Sequence, residues 1–302
     1  MPSLQIGFIG LGTMGMPMAM NLRDAGYHVV GYDHDDGQLA TFRTRGAVVD
    51  SARAVSKRTD VIITCLPDTE AVSEAMHAED GIIAGLNDEQ TVIDMSTISP
   101  TVTAELGAEL SSRGVEMLDA PMSGGESGAK TGSLMIMVGG DRAVLGEFEP
   151  ILEVLGERIV HCGPIGAGQV TKACNQIVVA NTMQAVSEAL VFASQAGADL
   201  EAVVEALRGG AAGCWTLDHR AERMINGQFD PGFFATYQYK DLRIATNAGD
   251  AVGAPMPITN ITKELYKSMV ATDLAYEDNS GILQINERLA GTEARVPRTE
   301  TS

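Results

Sequence analysis

The chain has 302 residues, and its 40 Asp and Glu outnumber its 21 Lys and Arg, which gives a formal net charge of -19 at pH 7. This charge disfavours nucleic acid and anionic membrane surfaces as partners, because basic side chains neutralise their phosphate groups. The length and a hydrophobic content of 45% allow two domains with sizeable cores. A local Lys or Arg can still bind a small anionic substrate.

The cysteines and histidines give no sign of a disulfide or metal site. The four cysteines are scattered without a CxxC pair, and the five histidines form no metal-ligand pattern. Such spacing is typical of reduced thiols in a cytoplasmic protein. The first residues lack a basic region followed by an apolar stretch, so we expect no signal peptide. Polar residues interrupt the most apolar run, so we also expect no membrane span.

The first 33 residues predict a dinucleotide-binding site. An apolar strand over residues 4–9 runs into a glycine-rich turn, followed by a helix and a second strand that ends at Asp33. Glycines in such a turn allow a tight bend and a close approach of the backbone to a pyrophosphate. Asp33 is placed to accept the ribose 2′-hydroxyl of NAD, and its acidic neighbours disfavour NADP. The candidate cofactor residues in this segment are Gly10, Leu11, Gly12, Thr13, Met14, Gly15 and Asp33.

Alternating strand and helix patterns continue to about residue 164. Three predicted strands end in polar or glycine-rich loops, which are Leu66-Pro67, Ser96-Thr97 and Ser123-Gly124-Gly125. Ligands of open parallel sheets bind outside the carboxyl ends of the strands. We therefore expect these loops to line one cleft, although each alone could be an ordinary turn. The pattern predicts an α/β fold with a Rossmann-type, doubly wound N-terminal domain.

A long helix follows, and no strand pattern of weight appears after it. Residues 170–195 contain neither Gly nor Pro, and Lys172 lies near the start, with Asn175 and Gln176 three and four residues later. This spacing places the three polar side chains on one helical face. An ammonium group on an apolar helix is costly to bury without a partner. Lys172 therefore either reaches solvent from the helix end or acts as a proton donor facing a cleft.

The chain is thus predicted to fold as two domains joined by the long helix. An NAD-binding Rossmann domain is expected over residues 1–164, an all-helical substrate and oligomerisation domain over 165–291, and a disordered polar tail over 292–302. The long helix is apolar nearly all round and needs more cover than the short helices supply. We therefore expect a homodimer or a homotetramer.

The ordered motifs of the chain resemble those of the β-hydroxyacid dehydrogenase family, over nearly its whole length. They are Gly10-Leu-Gly-Thr-Met-Gly15, Leu66-Pro67, Asp94-Met-Ser96-Thr97, Asp119-Ala-Pro-Met-Ser123-Gly124-Gly125, Met137-Val-Gly-Gly140, Gly168-Gln-Val-Thr-Lys172-Ala-Cys-Asn175-Gln176 and Lys240-Asp241-Leu242. The resemblance implies that Lys172 is the general acid/base for hydride exchange between NAD(P) and a carbinol β to a carboxylate. In that role, Asn175 and Gln176 can hold the lysine and the carbonyl oxygen.

The resemblance also implies a set of binding residues. It implies that the loop Ser123, Gly124 and Gly125 binds the substrate carboxylate, and that Lys240 approaches both cofactor and substrate. The residues that it places around the nicotinamide ribose are Leu66, Pro67 and Thr97, with Ser96 in the same loop as Thr97.

The resemblance divides the substrate between two branches of the family. Asn175-Gln176 and the segment 208–213 are similar to tartronate semialdehyde reductases. Gly213-Cys-Trp215 is similar to 3-hydroxyisobutyrate dehydrogenases, in which a Trp walls an apolar pocket, although plain packing would explain Trp215 equally well. We expect an NAD-dependent enzyme for a small 3-hydroxy acid or its semialdehyde, with tartronate semialdehyde as the preferred substrate.

Two other classes of function remain as alternatives. A non-catalytic cofactor-binding protein could share this fold, because fold does not fix function. The presence of Lys172 argues against that alternative, since such a protein has no use for a buried ammonium group. A DNA-binding relative is disfavoured by the acidic charge of the chain.

Overall fold

The computed structural model describes residues 4–296. Over that range the chain divides into two compact units, and the division falls between Lys172 and Ala173. All described strands lie in the first unit, and the second unit is helical. The α/β fold with a helical C-terminal part is therefore confirmed. The helix that crosses the division begins at Ala167, and the domain boundary predicted after residue 164 stays a prediction.

The first unit is built on one mostly parallel sheet. Its strands are β1 (Gln5–Ile9), β2 (His28–Tyr32), β3 (Ala47–Val48), β4 (Val61–Thr64), β5 (Thr91–Asp94), β6 (Glu116–Asp119), β7 (Met122–Ser123), β8 (Met135–Gly139) and β9 (Arg158–Gly163). They follow the order β3-β2-β1-β4-β5-β6-β8-β7, and β9 also pairs with β8. The sheet is parallel from β3 to β6, whereas β8 is antiparallel to β6 and β7. The carboxyl ends of β1, β4, β5 and β6 thus lie along one edge.

Helices cover both faces of this sheet. They are α1 (Gly15–Asp24), α2 (Asp36–Arg43), α3 (Ala52–Ser56), α4 (Thr69–His77), α5 (Pro100–Ser111), α6 (Gly125–Thr131) and α7 (Arg142–Leu155). Because both faces are covered, the central strands are buried on both faces rather than on alternate residues, and all four residues of β4 and of β5 are buried. A Ser or Asp side chain caps the N-terminus of α2, α3, α4, α5 and α7, but no side chain caps α1 or α6.

The second unit packs its helices around a separate apolar core. The helices are the part of α8 (Ala167–Gln195) from Ala173 onward, α9 (Leu200–Arg208), α10 (Trp215–His219), α11 (Ala221–Ile225), α12 (Ala235–Val252), α13 (Pro257–Val270) and α14 (Ile282–Ala290), with a 3-10 turn at Asn279–Gly281. Tyr266 and Leu242 are fully buried in this core. By length and composition alone α8 could cross a membrane, but the core helix of a soluble protein passes the same test.

The segment predicted as a disordered tail differs from that expectation over residues 292–296. Ala294 is fully buried, and its N–H donates to Oε1 of Glu287 at 2.8 Å. The N–H of Val296 donates to the carbonyl of Ile225 at 3.0 Å, and Arg295 pairs with Glu287. Polar composition suggested disorder, but the burial of Ala294, two backbone hydrogen bonds and the ion pair of Arg295 fix this segment. Residues 297–302 lie outside the described residues.

Candidate active site

The glycine-rich turn between β1 and α1 has the shape that a dinucleotide requires. Gly10 has a φ of +94°, a conformation that side-chain-bearing residues rarely adopt. A Cβ on Gly15 would overlap the carbonyl of Gly10, whereas a Cβ on Gly12 would meet nothing within 4 Å. Helix α1 begins after Met14 without a side-chain cap. The turn therefore presents an open helix N-terminus, where N–H groups and the helix dipole favour a pyrophosphate.

Asp33 follows β2 and is tied to this turn. The N–H of Leu11 donates to its Oδ2 at 2.6 Å, and the N–H of Asp35 donates to its Oδ1 at 2.9 Å. Each carboxylate oxygen has two lone-pair sites, so these contacts leave acceptor capacity for a ribose hydroxyl. Asp33 is 7% exposed. Its position supports the turn directly, and its contact with a ribose stays a prediction.

The predicted loops after β4 and β5 are joined by hydrogen bonds. The N–H of Leu66 donates to Oγ of Ser96 at 2.9 Å, and the N–H of Ser96 donates to Oδ1 of Asp94 at 3.1 Å. The hydroxyl of Thr64 donates to the same oxygen at 2.7 Å. The structure thus brings together Leu66-Pro67 and Ser96-Thr97, as the sequence predicts. It adds Thr64 and Asp94 as the buried residues that link them.

Asp119, at the end of β6, holds the start of α8. The N–H of Gly166 donates to its Oδ1 at 2.7 Å, and the N–H of Gln169 donates to its Oδ2 at 2.8 Å. The side chain is fully buried. Burial raises the pKa of Asp119 to about 6, and the charge of Asp94 adds to this rise, while the two N–H donors oppose it. Asp119 lies in one of the sequence motifs, but the motif alone predicts no role for it.

Gln169 connects the same helical turn to the loop after β5. Its Nε2 donates to the carbonyl of Ser96 at 2.8 Å, and its Oε1 accepts from the N–H of Ile98 at 3.1 Å. Lys172 follows three residues later and is 6% exposed. Of the two hypotheses for Lys172, a side chain that reaches solvent does not fit this burial. The remaining hypothesis, a proton donor that faces a cleft, stays a prediction.

The loop predicted to bind a carboxylate depends on two glycines. Gly124 has a φ of +137° and Gly125 a φ of +62°, and α6 begins at Gly125. Ser123 lies on β7, whose partner is β8. Larger residues would be strained at both glycine positions. The loop therefore combines a hydroxyl with closely spaced backbone N–H groups, a donor set suited to a carboxylate.

In the second unit, four polar side chains are joined by two hydrogen bonds and one ion pair. Nε2 of Gln176 donates to Oδ2 of Asp241 at 2.5 Å, and Nδ2 of Asn175 donates to Oε1 of Gln176 at 2.9 Å. Nζ of Lys240 lies 3.2 Å from Oδ1 of Asp241. The predicted residues Asn175, Gln176 and Lys240 are thus brought together by Asp241, which is 3% exposed. Its place beside Lys240 in the sequence motif was the only signal for it.

Trp215 begins α10 and lies at the surface of the second unit. It is 52% exposed, so it is not a core residue. Its ring stacks on His219 at 4.8 Å between centroids, and the guanidinium of Arg220 lies 4.9 Å from its centre. Nε of Arg208 donates to the carbonyl of Leu217 at 2.8 Å, which joins α9 to α10. The ring of Trp215 is thus positioned by His219 and Arg220 and remains accessible to solvent.

Among the described residues, no group of three or more His, Cys, Asp or Glu side chains could hold a metal ion.

Two family models match the chain. The model described as the NAD binding domain of 6-phosphogluconate dehydrogenase matches residues 5–163. The model described as NAD-binding of NADP-dependent 3-hydroxyisobutyrate dehydrogenase matches residues 166–286.

Individual proteins match over nearly the whole chain. The 2-hydroxy-3-oxopropionate reductase of Escherichia coli is 42% identical over 95% of this chain and 98% of its own length. The NAD-dependent L-serine dehydrogenase of Pseudomonas aeruginosa is 34% identical over 95% and 99%. Among solved structures, 3-hydroxyisobutyrate dehydrogenase of Mycobacterium tuberculosis with L-serine superposes with a TM-score of 0.87 at 35% identity, covering 93% of this chain and 98% of that one.

Proposed function

This chain belongs to the β-hydroxyacid dehydrogenase family, and within that family we propose that it is an NAD-dependent tartronate semialdehyde (2-hydroxy-3-oxopropionate) reductase. The membership makes it a pyridine-nucleotide-dependent oxidoreductase. The observation that carries the proposal is the burial of Lys172 one turn after α8 is bound to the ends of β5 and β6. An ammonium group so placed is suited to proton transfer rather than to solvation.

The proposed chemistry assigns each part of the reaction to particular residues. A nicotinamide supplies the hydride when bound. Lys172 donates a proton from Nζ to the aldehyde oxygen as negative charge develops there, so the aldehyde becomes a primary alcohol. In the reverse direction the neutral lysine accepts that proton. The turn Gly10–Gly15 would hold the pyrophosphate, and the loop Ser123–Gly125 would bind the substrate carboxylate.

Two features support tartronate semialdehyde as the substrate. A relative of 42% identity is named for the same compound. In addition, Asn175 and Gln176 supply amide groups that can hydrogen-bond the 2-hydroxyl of this substrate, and Asp241 fixes the amide of Gln176. A site built to hydrogen-bond a hydroxyl rejects analogues that lack it, because its polar groups would be left unpaired.

A second candidate function is 3-hydroxyisobutyrate dehydrogenase. It is favoured by Trp215, whose exposed ring could wall an apolar substrate group, and by the solved relative from Mycobacterium tuberculosis. Under either candidate we propose NAD over NADP, because Asp33 would repel a 2′-phosphate.

We also propose a cytoplasmic homodimer or homotetramer. In the second unit, α8 exposes Val178 and Phe192 (64% and 74%), and α13 exposes Ile258 and Ile261 (62% each). Large apolar side chains exposed to this extent are suited to a subunit interface. Light scattering after size exclusion tests this proposal, and a monomer at micromolar concentration would contradict it.

The proposed reaction is tested with a panel of semialdehydes. Oxidation of NADH and NADPH is followed with tartronate, methylmalonate and succinate semialdehyde, for the native chain and for Lys172→Met. A matched control is Lys267→Met, because Lys267 is an exposed lysine on α13 that pairs with Glu264. We expect turnover of tartronate semialdehyde with NADH, lost only in Lys172→Met. Preference for methylmalonate semialdehyde would favour the second candidate, and bound NADH without any turnover would favour a non-catalytic protein.

A further inference from the structure

We propose that Asp119 is a positioning residue for Lys172, because its buried carboxylate fixes the first turn of α8 against the sheet while Gln169 fixes the same turn against the loop after β5. This inference rests on the proposed role of Lys172 as proton donor. Asp119 itself is not assigned a contact with substrate or cofactor.

The first observation is the origin of the helix cap. Helix α8 begins at Ala167, directly after Gly166, which has no side chain to cap it. The first N–H groups of a helix lack partners within the helix, and a neighbouring Ser or Asp usually accepts from them. Here the acceptor is Asp119, which is 47 residues from Gly166 and 50 residues from Gln169 in sequence. The cap therefore binds the helix to a strand of the sheet rather than to its own preceding loop.

The second observation is the close approach of the backbone around this carboxylate. A Cβ on Gly168 would lie 2.7 Å from Oδ2 of Asp119, and a Cβ on Gly139 would overlap its Oδ1. Neither glycine has a positive φ, so backbone conformation does not require glycine at these positions. Glycine is required there because neighbouring atoms approach too closely to leave room for a Cβ. The carboxylate thus lies between the backbones of β8 and α8, and even one added carbon would displace them.

The third observation is that the same turn has a second, independent attachment. Gln169 is 1% exposed, and its side-chain amide both donates to the carbonyl of Ser96 and accepts from the N–H of Ile98. Ser96 in turn accepts from the N–H of Leu66. Hydrogen bonds therefore run continuously from the loop after β4 to the turn that precedes Lys172. Residues three apart share a helical face, so Gln169 places the face that carries Lys172.

The effect on rate follows from the geometry of proton transfer. When a catalytic group is misplaced by about 1 Å from the reacting atoms, the rate can fall about 100-fold. Loss of one attachment should leave Lys172 present but misplaced, so turnover falls while binding of the cofactor persists. Replacing a residue that is needed only for stability would not lower turnover while leaving cofactor binding unchanged.

The ionisation of Asp119 gives a second signature. Only the carboxylate form offers both oxygens as free acceptors, and a proton on one oxygen removes one of the two contacts with α8. The groups that face Asp119 are the carboxylate of Asp94 from β5 and the positive end of α8, on which Lys172 follows. Strand β8 (Met135–Gly139) contributes no ionisable side chain. Since the pKa of Asp119 is about 6, turnover should fall as the pH drops below about 6.

The test compares Asp119→Asn and Gln169→Met with a matched control. The control is Asp141→Asn, because Asp141 caps α7 in the same unit by accepting from Ala143 at 2.6 Å. We expect kcat to fall about 10- to 100-fold in the first two variants, with the KM for the aldehyde and the Kd for NADH changed less than about threefold. The control should keep kcat within about twofold. In Asp119→Asn the fall in turnover below pH 6 should also vanish, since an amide does not titrate there.

Hydrogen exchange supplies a readout that needs no turnover. The amides of Gly166 and Gln169 should exchange about tenfold or more faster in Asp119→Asn than in the native chain. Unchanged exchange, or native kcat in either variant, would overturn the inference. If Asp119→Asn fails to fold, Gln169→Met decides by its kcat. Turnover that survives Lys172→Met would instead refute the proposed function, and the exchange result would still stand by itself.

Discussion

Gln176 donates from Nε2 to Oδ2 of Asp241 at 2.5 Å, and this contact sets the direction of the neighbouring amides. A carboxylate can only accept, so Gln176 must turn its amino group to Asp241 and its oxygen to Asn175. Nδ2 of Asn175 donates to that oxygen at 2.9 Å. The orientation of both amides is therefore determined by one buried acid.

Replacing Asp241 by Asn should disturb the orientation of the Gln176 and Asn175 amides. An Asn at this position can donate as well as accept, so the amide of Gln176 would no longer prefer one orientation. We expect kcat/KM for the aldehyde to fall about tenfold or more, as for loss of a hydrogen bond to a charged group. Steady-state kinetics measures it, with Asp250→Asn as the control because Asp250 is exposed on the same helix. Equal kcat/KM in the two variants would contradict the role of Asp241.

Replacing Asp33 by Ala should reduce the preference for NAD. The change removes the acceptor for the N–H of Leu11 and the predicted acceptor for the ribose hydroxyl. We expect the ratio of kcat/KM for NADH to that for NADPH to fall about 10- to 100-fold. Asp36→Ala removes the same charge from the exposed start of α2 and should leave the ratio nearly unchanged. If both variants change the ratio equally, only the charge of the region matters.

Trp215 offers a test of the substrate branch. Because its ring is half exposed, Trp215→Phe should change the free energy of unfolding by less than about 1 kcal/mol. If the ring contacts substrate, the ratio of kcat/KM for methylmalonate and tartronate semialdehyde should change about tenfold, which is typical of a methyl-sized change in a pocket. We expect that change. Tyr276→Phe modifies another exposed aromatic residue of the same unit and serves as the control.

The buried charge of Asp119 should make stability depend on pH. Its folded-state pKa of about 6 lies above the ordinary value of 3.8, so the folded protein binds this proton more tightly than the unfolded chain. The resulting stabilisation is fully present below pH 3.8 and is lost as the pH rises through about 6. It amounts to about 3 kcal/mol.

Urea unfolding at several pH values between 4 and 7.5 measures this effect. The difference in free energy of unfolding between the native chain and Asp119→Asn should decrease as the pH rises, because only the native chain has this group. Other carboxylates contribute equally to both proteins and cancel. If the free energy of unfolding of the two proteins changed with pH in parallel, the pKa of Asp119 would not be raised by folding.

The sequence predicted the fold well where local pattern and function coincide. Glycine spacing, apolar strands and the acid after β2 identify the Rossmann arrangement, because each is readable within about 30 residues. The antiparallel direction of β8 was not predicted, since it depends on pairing with β6 and β7 rather than on local pattern. The prediction of disorder was wrong over residues 292–296 for the same reason, because this segment is held by contacts with α11 and α14.

In the candidate site, too, local pattern predicted some residues, whereas those that depend on distant contacts were missed. Lys172, Asn175 and Gln176 were found because helical spacing places them on one face. The roles of Asp119 and Asp241 were missed, because each depends on contacts with residues about 50 or more positions away, which have no periodic signature. An acid beside a glycine or lysine motif gives only a weak sequence signal for such a role.

The close packing at Gly139 and Gly168 has a consequence for how this protein tolerates random mutation. Around both positions the near neighbours include backbone atoms, such as the carbonyls of Pro164 and Asp119, and not only side chains. A second mutation elsewhere can shrink a side chain but cannot remove a carbonyl. In a saturation library, both positions should therefore accept glycine alone in every genetic background, whereas Val170, which is 49% exposed two residues further along α8, should accept many residues.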